Sequence, residues 1–130
     1  MLKFIKTLLE RNAYAIAILL TNIIIYLSLM TTTSSRIMDV VSISDKSAHM
    51  FAYFILSCSW FFAVKSSHSN LYNKVKIGVL VLFFSIILEL IQGSYTNHRT
   101  MDYFDMIANG FGIIIAIVSF KRLLRVYHTI

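Results

Sequence analysis

Four long apolar stretches, separated by short links rich in Ser, Thr and Asn, divide the chain. The first, Ala13 to Met30, runs 18 residues without a charge. The second extends from about Ser44 to Val64, the third from about Val75 to Tyr95 and the fourth from about Asp102 to Arg122. Each is close to the roughly 20 residues that a membrane-crossing helix needs. No stretch alternates apolar and polar with the period of a strand, which argues against a membrane barrel. The pattern predicts an all-α fold: one domain over 1–130, a compact bundle of four transmembrane helices. A basic flank before the first run and the Thr31 to Ser35 tract after it imitate a signal peptide. The apolar part is longer than the roughly 7 to 15 residues of a signal core, and no small-x-small cleavage site follows, so an uncleaved helix is expected.

Composition sharpens this reading. The 130 residues include no proline, 58% are hydrophobic and only 14% are charged, against roughly 25% charged in a soluble globular domain. The net charge of +6 has to be read by position. Lys3, Lys6 and Arg11 precede the first run, Lys65, Lys74 and Lys76 lie between the second and third, and Lys121, Arg122 and Arg125 follow the fourth. These are alternate links, so nine of the twelve basic residues fall at one end of a four-span bundle, leaving Arg36, Lys46 and Arg99 at the other. The positive-inside rule then places both termini in the cytoplasm. Basicity reports topology and no nucleic-acid partner. Cys58, alone in an apolar run, has no disulfide mate. Tyr14, Trp60, Tyr72 and Tyr127 fall at the inner interface and Tyr26, Tyr95 and Tyr103 at the outer, where aromatic anchors belong. Ala108, Gly112 and Ala116 form a small-residue stripe of the kind that lets membrane helices touch.

The polar residues gather toward the outer end. Asp45, Lys46 and His49 open the second helix, Glu89 and Gln92 close the third, and Arg99, Asp102, Asp105 and Asn109 precede or open the fourth. With a rise of about 1.5 Å per residue, His49 lies roughly 7 Å inside its helix and Glu89 roughly 9 Å from the end of its own. Ionisable groups at such depth usually face the bundle interior and pair with one another. Asp45 with His49, His49 with Tyr53, Glu89 with Gln92, Asp102 with Asp105 and Asp105 with Asn109 stand three or four residues apart, so each pair shares a helix face.

The patterns Asp45-Lys46-x-x-His49-x-x-x-Tyr53, Glu89-x-x-Gln92 and Arg99-x-x-Asp102-x-x-Asp105-x-x-x-Asn109-x-x-Gly112 together resemble the VanZ-like family of bacterial membrane proteins, over roughly residues 44 to 120. The resemblance implies a helical, multi-pass protein of the bacterial plasma membrane with a link to the cell envelope, and the family's namesake is associated with resistance to the glycopeptide teicoplanin. It supplies no reaction. Asn97 and His98 stand where family members often carry Pro and Gly, and the chain has no appended soluble domain.

The resulting expectation is an outer-leaflet pocket that binds or acts on a lipid-linked or peptidoglycan-related envelope molecule. In an enzymatic version His49 and Glu89 move protons, Asp102 and Asp105 orient a cation or the substrate, and Arg99 holds a phosphate, with Asp45, Lys46, Tyr53, Gln92 and Asn109 lining the site. Plainer roles compete for every one of these residues. A lone buried His is commonly a satisfied hydrogen-bonding group, and Glu89 can simply pair with Arg99 or Lys46. Asp45, Asp102 and Asp105 suit a helix start, Arg99 can bridge to Asp102, and Asn109 can bond between helices. Four carboxylates against two cations suit a shared proton or a bound cation better than an anion pocket, but the spacing matches no zinc signature and a divalent metal is not favoured. The rival to a chemical site is a non-catalytic envelope accessory protein in which the polar groups lock helices together. A small proton-coupled transporter is weaker, because no broken-helix pair or inverted repeat is visible; four short helices make a narrow conduit, which a homo-oligomer would enlarge.

Overall fold

A computed structural model describes residues 1–30, 42–95 and 103–130, with backbone alone at 30, 42–45, 93 and 95. The described residues form helices α1 (Leu2–Arg11), α2 (Ala13–Met30), α3 (Ser42–Ala63), α4 (Leu71–Tyr95) and α5 (Tyr103–Thr129), with a short 3-10 turn at Lys65–Ser67 and no strand among them. Among them α5 and the Leu71–Gln92 part of α4 are long and apolar enough to cross a membrane, and α1 with α2 adds a third span if that bent pair is counted as one. The first turns of α3 hold Lys46 and His49, and α3 is not among these candidate spans.

The outward faces are consistent with a membrane protein. Val118 is 77% exposed, Phe83 60% and Leu80 61%. Apolar surface of that extent is solvated by acyl chains and would be an aggregation patch in water. Because lipid tails are as apolar as leucine, helix association inside a bilayer rests on close packing and interhelical hydrogen bonds rather than on expelling water. Both devices are present. α3 and α5 form the most extensive contact, with Gly112 against the Met50 backbone and Ala116 fully buried. Phe61 and Phe120 meet edge to face at 5.5 Å beside Ala116. Ala13, Ala17 and Ala63 make a second small-residue seam between α2 and α3.

Several features differ from the expectation. α1 is a helix where a basic flank was expected. Its Leu2, Ile5 and Leu9 recur at helical spacing beside a polar face of Lys3, Lys6 and Glu10, and it turns away from α2 by 69°. Asn12 makes the bend by ending α1, its side-chain amide donating to the Leu8 carbonyl at 2.9 Å. α5 continues to Thr129, seven residues beyond the expected end, because Leu123, Leu124 and Val126 keep an apolar side. Near the end, the Tyr127 hydroxyl donates to Glu10 of α1 at 3.1 Å, which brings the two ends of the chain together.

Trp60, expected as an interface anchor, is half-buried between α2 and α3, and its indole N–H donates to Thr21 Oγ1 at 3.1 Å. Thr21 in turn donates to the Ala17 carbonyl. Trp60→Phe should therefore lower stability in detergent by about 1 kcal/mol, the usual worth of one such bond. Thr21→Val should cost the same, and the double variant no more than either alone in a thermal melt; additive losses would show that the two side chains do not interact.

Candidate functional site

Three helices each bring a polar face to one end of the bundle. On α3, His49, Tyr53 and Ser57 follow one another at four-residue spacing; His49 is half-buried, while Tyr53 and Ser57 are in the core. On α4 the face is Ser85, Glu89 and Gln92, all buried. On α5 it is Asp105 and Asn109, also buried. The period of the α-helix puts each set in line, and the antiparallel run of α3, α4 and α5 places the sets side by side.

Ser85 is the hinge of the cluster. The Tyr53 hydroxyl is hydrogen-bonded with its side chain and lies near enough to Glu89 to feel that charge. Asn109 Nδ2 donates to Ser85 Oγ at 3.3 Å. Tyr53, Ser85, Glu89 and Asn109 are thus one group drawn from three helices. The Asn109 carbonyl oxygen and the Ser57 hydroxyl are buried without a hydrogen-bond partner among the described residues. Leaving such an atom unsatisfied costs about 1–3 kcal/mol, so a fully knitted network is not what the described residues build. His49, Glu89, Gln92 and Asp105 all have further polar or ring partners.

The other expected site residues divide. Gln92 reaches across to α2, its Nε2 donating to the Ser28 carbonyl at 2.6 Å; this carbonyl lies in the last turn of α2, where helix acceptors lack intrahelical donors. Asp105 is the third residue of α5, where a carboxylate suits the positive end of the helix. Lys46 is exposed and stands over the Phe104 ring at 4.6 Å, on the rim of a cleft of about 290 Å³ between α3 and α5. Of the two cations expected as alternative partners of Glu89, Lys46 stands on this ring and Arg99 lies outside the described residues. Asp45 is in the first turn of α3 with its side chain outside the description, and Arg99 and Asp102 lie outside the described residues altogether. Among the described residues no three of His, Cys, Asp and Glu are placed to hold a metal ion.

Two participants were not anticipated. Ser85 stands four residues before Glu89 and Ser57 four after Tyr53, so continuing the same helical spacing by one turn would have found both. With the geometry in hand, comparison with protein-family models, with curated proteins and with solved structures finds no match.

Proposed function

We propose that this chain is a multi-pass protein of the bacterial plasma membrane whose buried polar cluster binds or acts on a lipid-linked or peptidoglycan-related envelope molecule, as the resemblance to the VanZ-like family implies. Four spans are assigned, α2 to α5, with α1 along the surface and both termini in the cytoplasm. The clustering of basic residues at the end where Tyr127 meets Glu10 supports that orientation, and it puts Glu89 and Asn109 on the extracytoplasmic side.

The observation that carries the reading is the Asn109 carbonyl oxygen, buried beside Ser85 with no partner among the described residues. Buried polar groups in a purely structural network are nearly always satisfied. An acceptor left open next to a buried carboxylate suits a donor from outside, such as a substrate hydroxyl or amide. Glu89 and His49 are then the proton-handling groups, with Tyr53 and Ser85 orienting the ligand. A second reading is favoured by the depth of burial: Asp105 is 1% exposed and Glu89 4%, which also suits a non-catalytic accessory protein whose polar groups hold three helices in register.

Expression of the full chain in a teicoplanin-susceptible bacterium is expected to raise the inhibitory concentration severalfold. His49→Asn should return it to the starting value with membrane abundance unchanged. No shift from the wild-type chain, or full activity in a folded His49→Asn variant, would remove the chemical site and leave the accessory reading.

A further inference from the structure

The opposite end of the bundle, where the two chain ends meet, carries a cleft of about 450 Å³ that the polar cluster does not explain. Its wall is built by the turn after α3. Ser67 Oγ lies 2.7 Å from both the Phe61 and Val64 carbonyl oxygens, which share its one proton, and the His68 ring meets the Phe62 carbonyl at 3.0 Å while stacking on Phe62. These bonds satisfy the last carbonyls of α3 and hold Lys65 and His68 at the cleft, opposite His128 of α5. Glu10 is the carboxylate in the lining, and it already accepts the Tyr127 hydroxyl. Lys6 of α1 adds its ammonium over the Tyr127 ring at 5.1 Å. The lining thus sets Lys65 against Glu10, and Lys6 beside it adds a second ammonium, while His68 and His128 supply ring nitrogens.

A second cleft of about 360 Å³ adjoins the first, sharing Phe62, Leu124 and Tyr127 as a common wall. It runs between α3 and α5 past Cys58 to Phe54 and Ile55, about 12 Å toward the middle of the span at helical rise, and its lining is almost wholly apolar. α1 closes the junction from the side: Lys6 and Glu10 dock on Tyr127, Leu9 reaches the apolar groove, and Leu2, Phe4 and Ile5 are left exposed, as in a helix lying in the membrane surface. α5 spans about 40 Å, longer than the roughly 30 Å hydrocarbon core. The exposed Lys121 and Arg122 mark where the apolar part of α5 ends. The far end of the groove, at Phe54, Ile55 and Cys58, therefore falls at acyl-chain depth and the basic cleft at headgroup depth.

We propose that this end of the molecule binds one anionic phospholipid, its phosphate in the cleft formed by Lys65, His68 and His128 and one acyl chain in the groove between α3 and α5. A basic side chain at the membrane surface adds about 1 kcal/mol toward an anionic lipid, which is about fivefold in retention. Juxtaposition of a basic cleft with an adjoining apolar groove sets this site apart from the cleft beside Lys46, which is smaller and shares no lining residue with that groove.

The test is native mass spectrometry of the detergent-purified full chain given phosphatidylglycerol or phosphatidylcholine at equal concentration. The wild-type chain should retain phosphatidylglycerol at least about fivefold more. Lys65→Glu should erase that preference, and Leu123→Trp, which fills the groove from a half-exposed position, should reduce retention of both lipids. Soluble glycerol phosphate should displace neither. If Lys65→Glu does not fold, His128→Gln at the exposed last turn of α5 serves in its place and should weaken the preference. Equal retention of the two lipids by the wild-type chain, an undiminished preference in a folded charge variant, or full displacement by glycerol phosphate would each overturn the proposal.

Discussion

Gly112→Ala should disrupt the bundle more than alanine at Gly78 or Gly110. A Cβ placed on Gly112 runs into the Met50 carbonyl oxygen and comes within 3.1 Å of the Phe54 nitrogen. These are backbone atoms of α3, fixed by the helix itself, so no side-chain rotation relieves the contact and α3 and α5 must move apart. Separation would loosen Ala116 and Phe61, both without solvent exposure, and in lipid no hydrophobic force pushes the helices back together. Overpacking of this kind costs about 1–3 kcal/mol where side chains can shift, and the fixed backbone puts Gly112→Ala at or above the upper end. Two other glycines calibrate the result. Gly78 faces the side-chain tips of Ile117 at 3.0 Å and Ile113 at 3.1 Å, which can give way, so Gly78→Ala should cost about 1 kcal/mol. Gly110 has nothing within 4 Å, and alanine there should be neutral or up to about 1 kcal/mol stabilising. Thermal melts in detergent should rank the three variants in that order. If Gly112→Ala melts with the wild-type chain, α3 and α5 do not approach as described.

The physics of reading this chain is visible in which residues were legible before the structure. Long apolar runs are a strong signal, so the starts and ends of α2, α3 and α4 fall within a few residues of expectation. Polar residues at three- and four-residue spacing were legible for the same reason, since a helix places them on one face whatever surrounds it. Gly112 was legible as part of a stripe with Ala108 and Ala116 that Gly110 does not join, but that its partner is the backbone at Met50, more than sixty residues upstream, was not. The bond from Gln92 to the Ser28 carbonyl depends equally on a distant segment. Trp60 illustrates the competing case. An aromatic residue near a helix end suits the membrane surface on general grounds, yet a hydroxyl on α2 offers its N–H a partner, and a specific hydrogen bond inside the bundle outweighs a generic preference. α1 was hidden because ten residues are too few for a helix to stand on its own pattern, and its basic residues had already been assigned to topology.

Glu89→Gln should return the inhibitory concentration to its starting value, because losing a proton-handling group slows a reaction by about 100-fold or more, without lowering stability. The side chain is 4% exposed, and an ionised group at membrane depth costs on the order of 3 kcal/mol on insertion scales. The amide has the same shape, can still hydrogen-bond near Tyr53 and sheds that cost, so the melting temperature of the variant should match or exceed that of the wild-type chain. The sign of this change separates the two functional readings. A carboxylate whose charge holds three helices together should leave partners with nothing to bond when replaced, and such losses run to about 3–5 kcal/mol for a buried charge pair. Glu89→Leu extends the series by removing the hydrogen-bonding atoms as well. Tyr53 keeps its bond with Ser85, so the cost should stay near 1–2 kcal/mol while the phenotype stays as low as in the amide variant. A stable but inactive Gln variant assigns Glu89 to chemistry or ligand binding; a Gln variant that melts early, with activity falling only in step with abundance, assigns it to holding α3, α4 and α5 together.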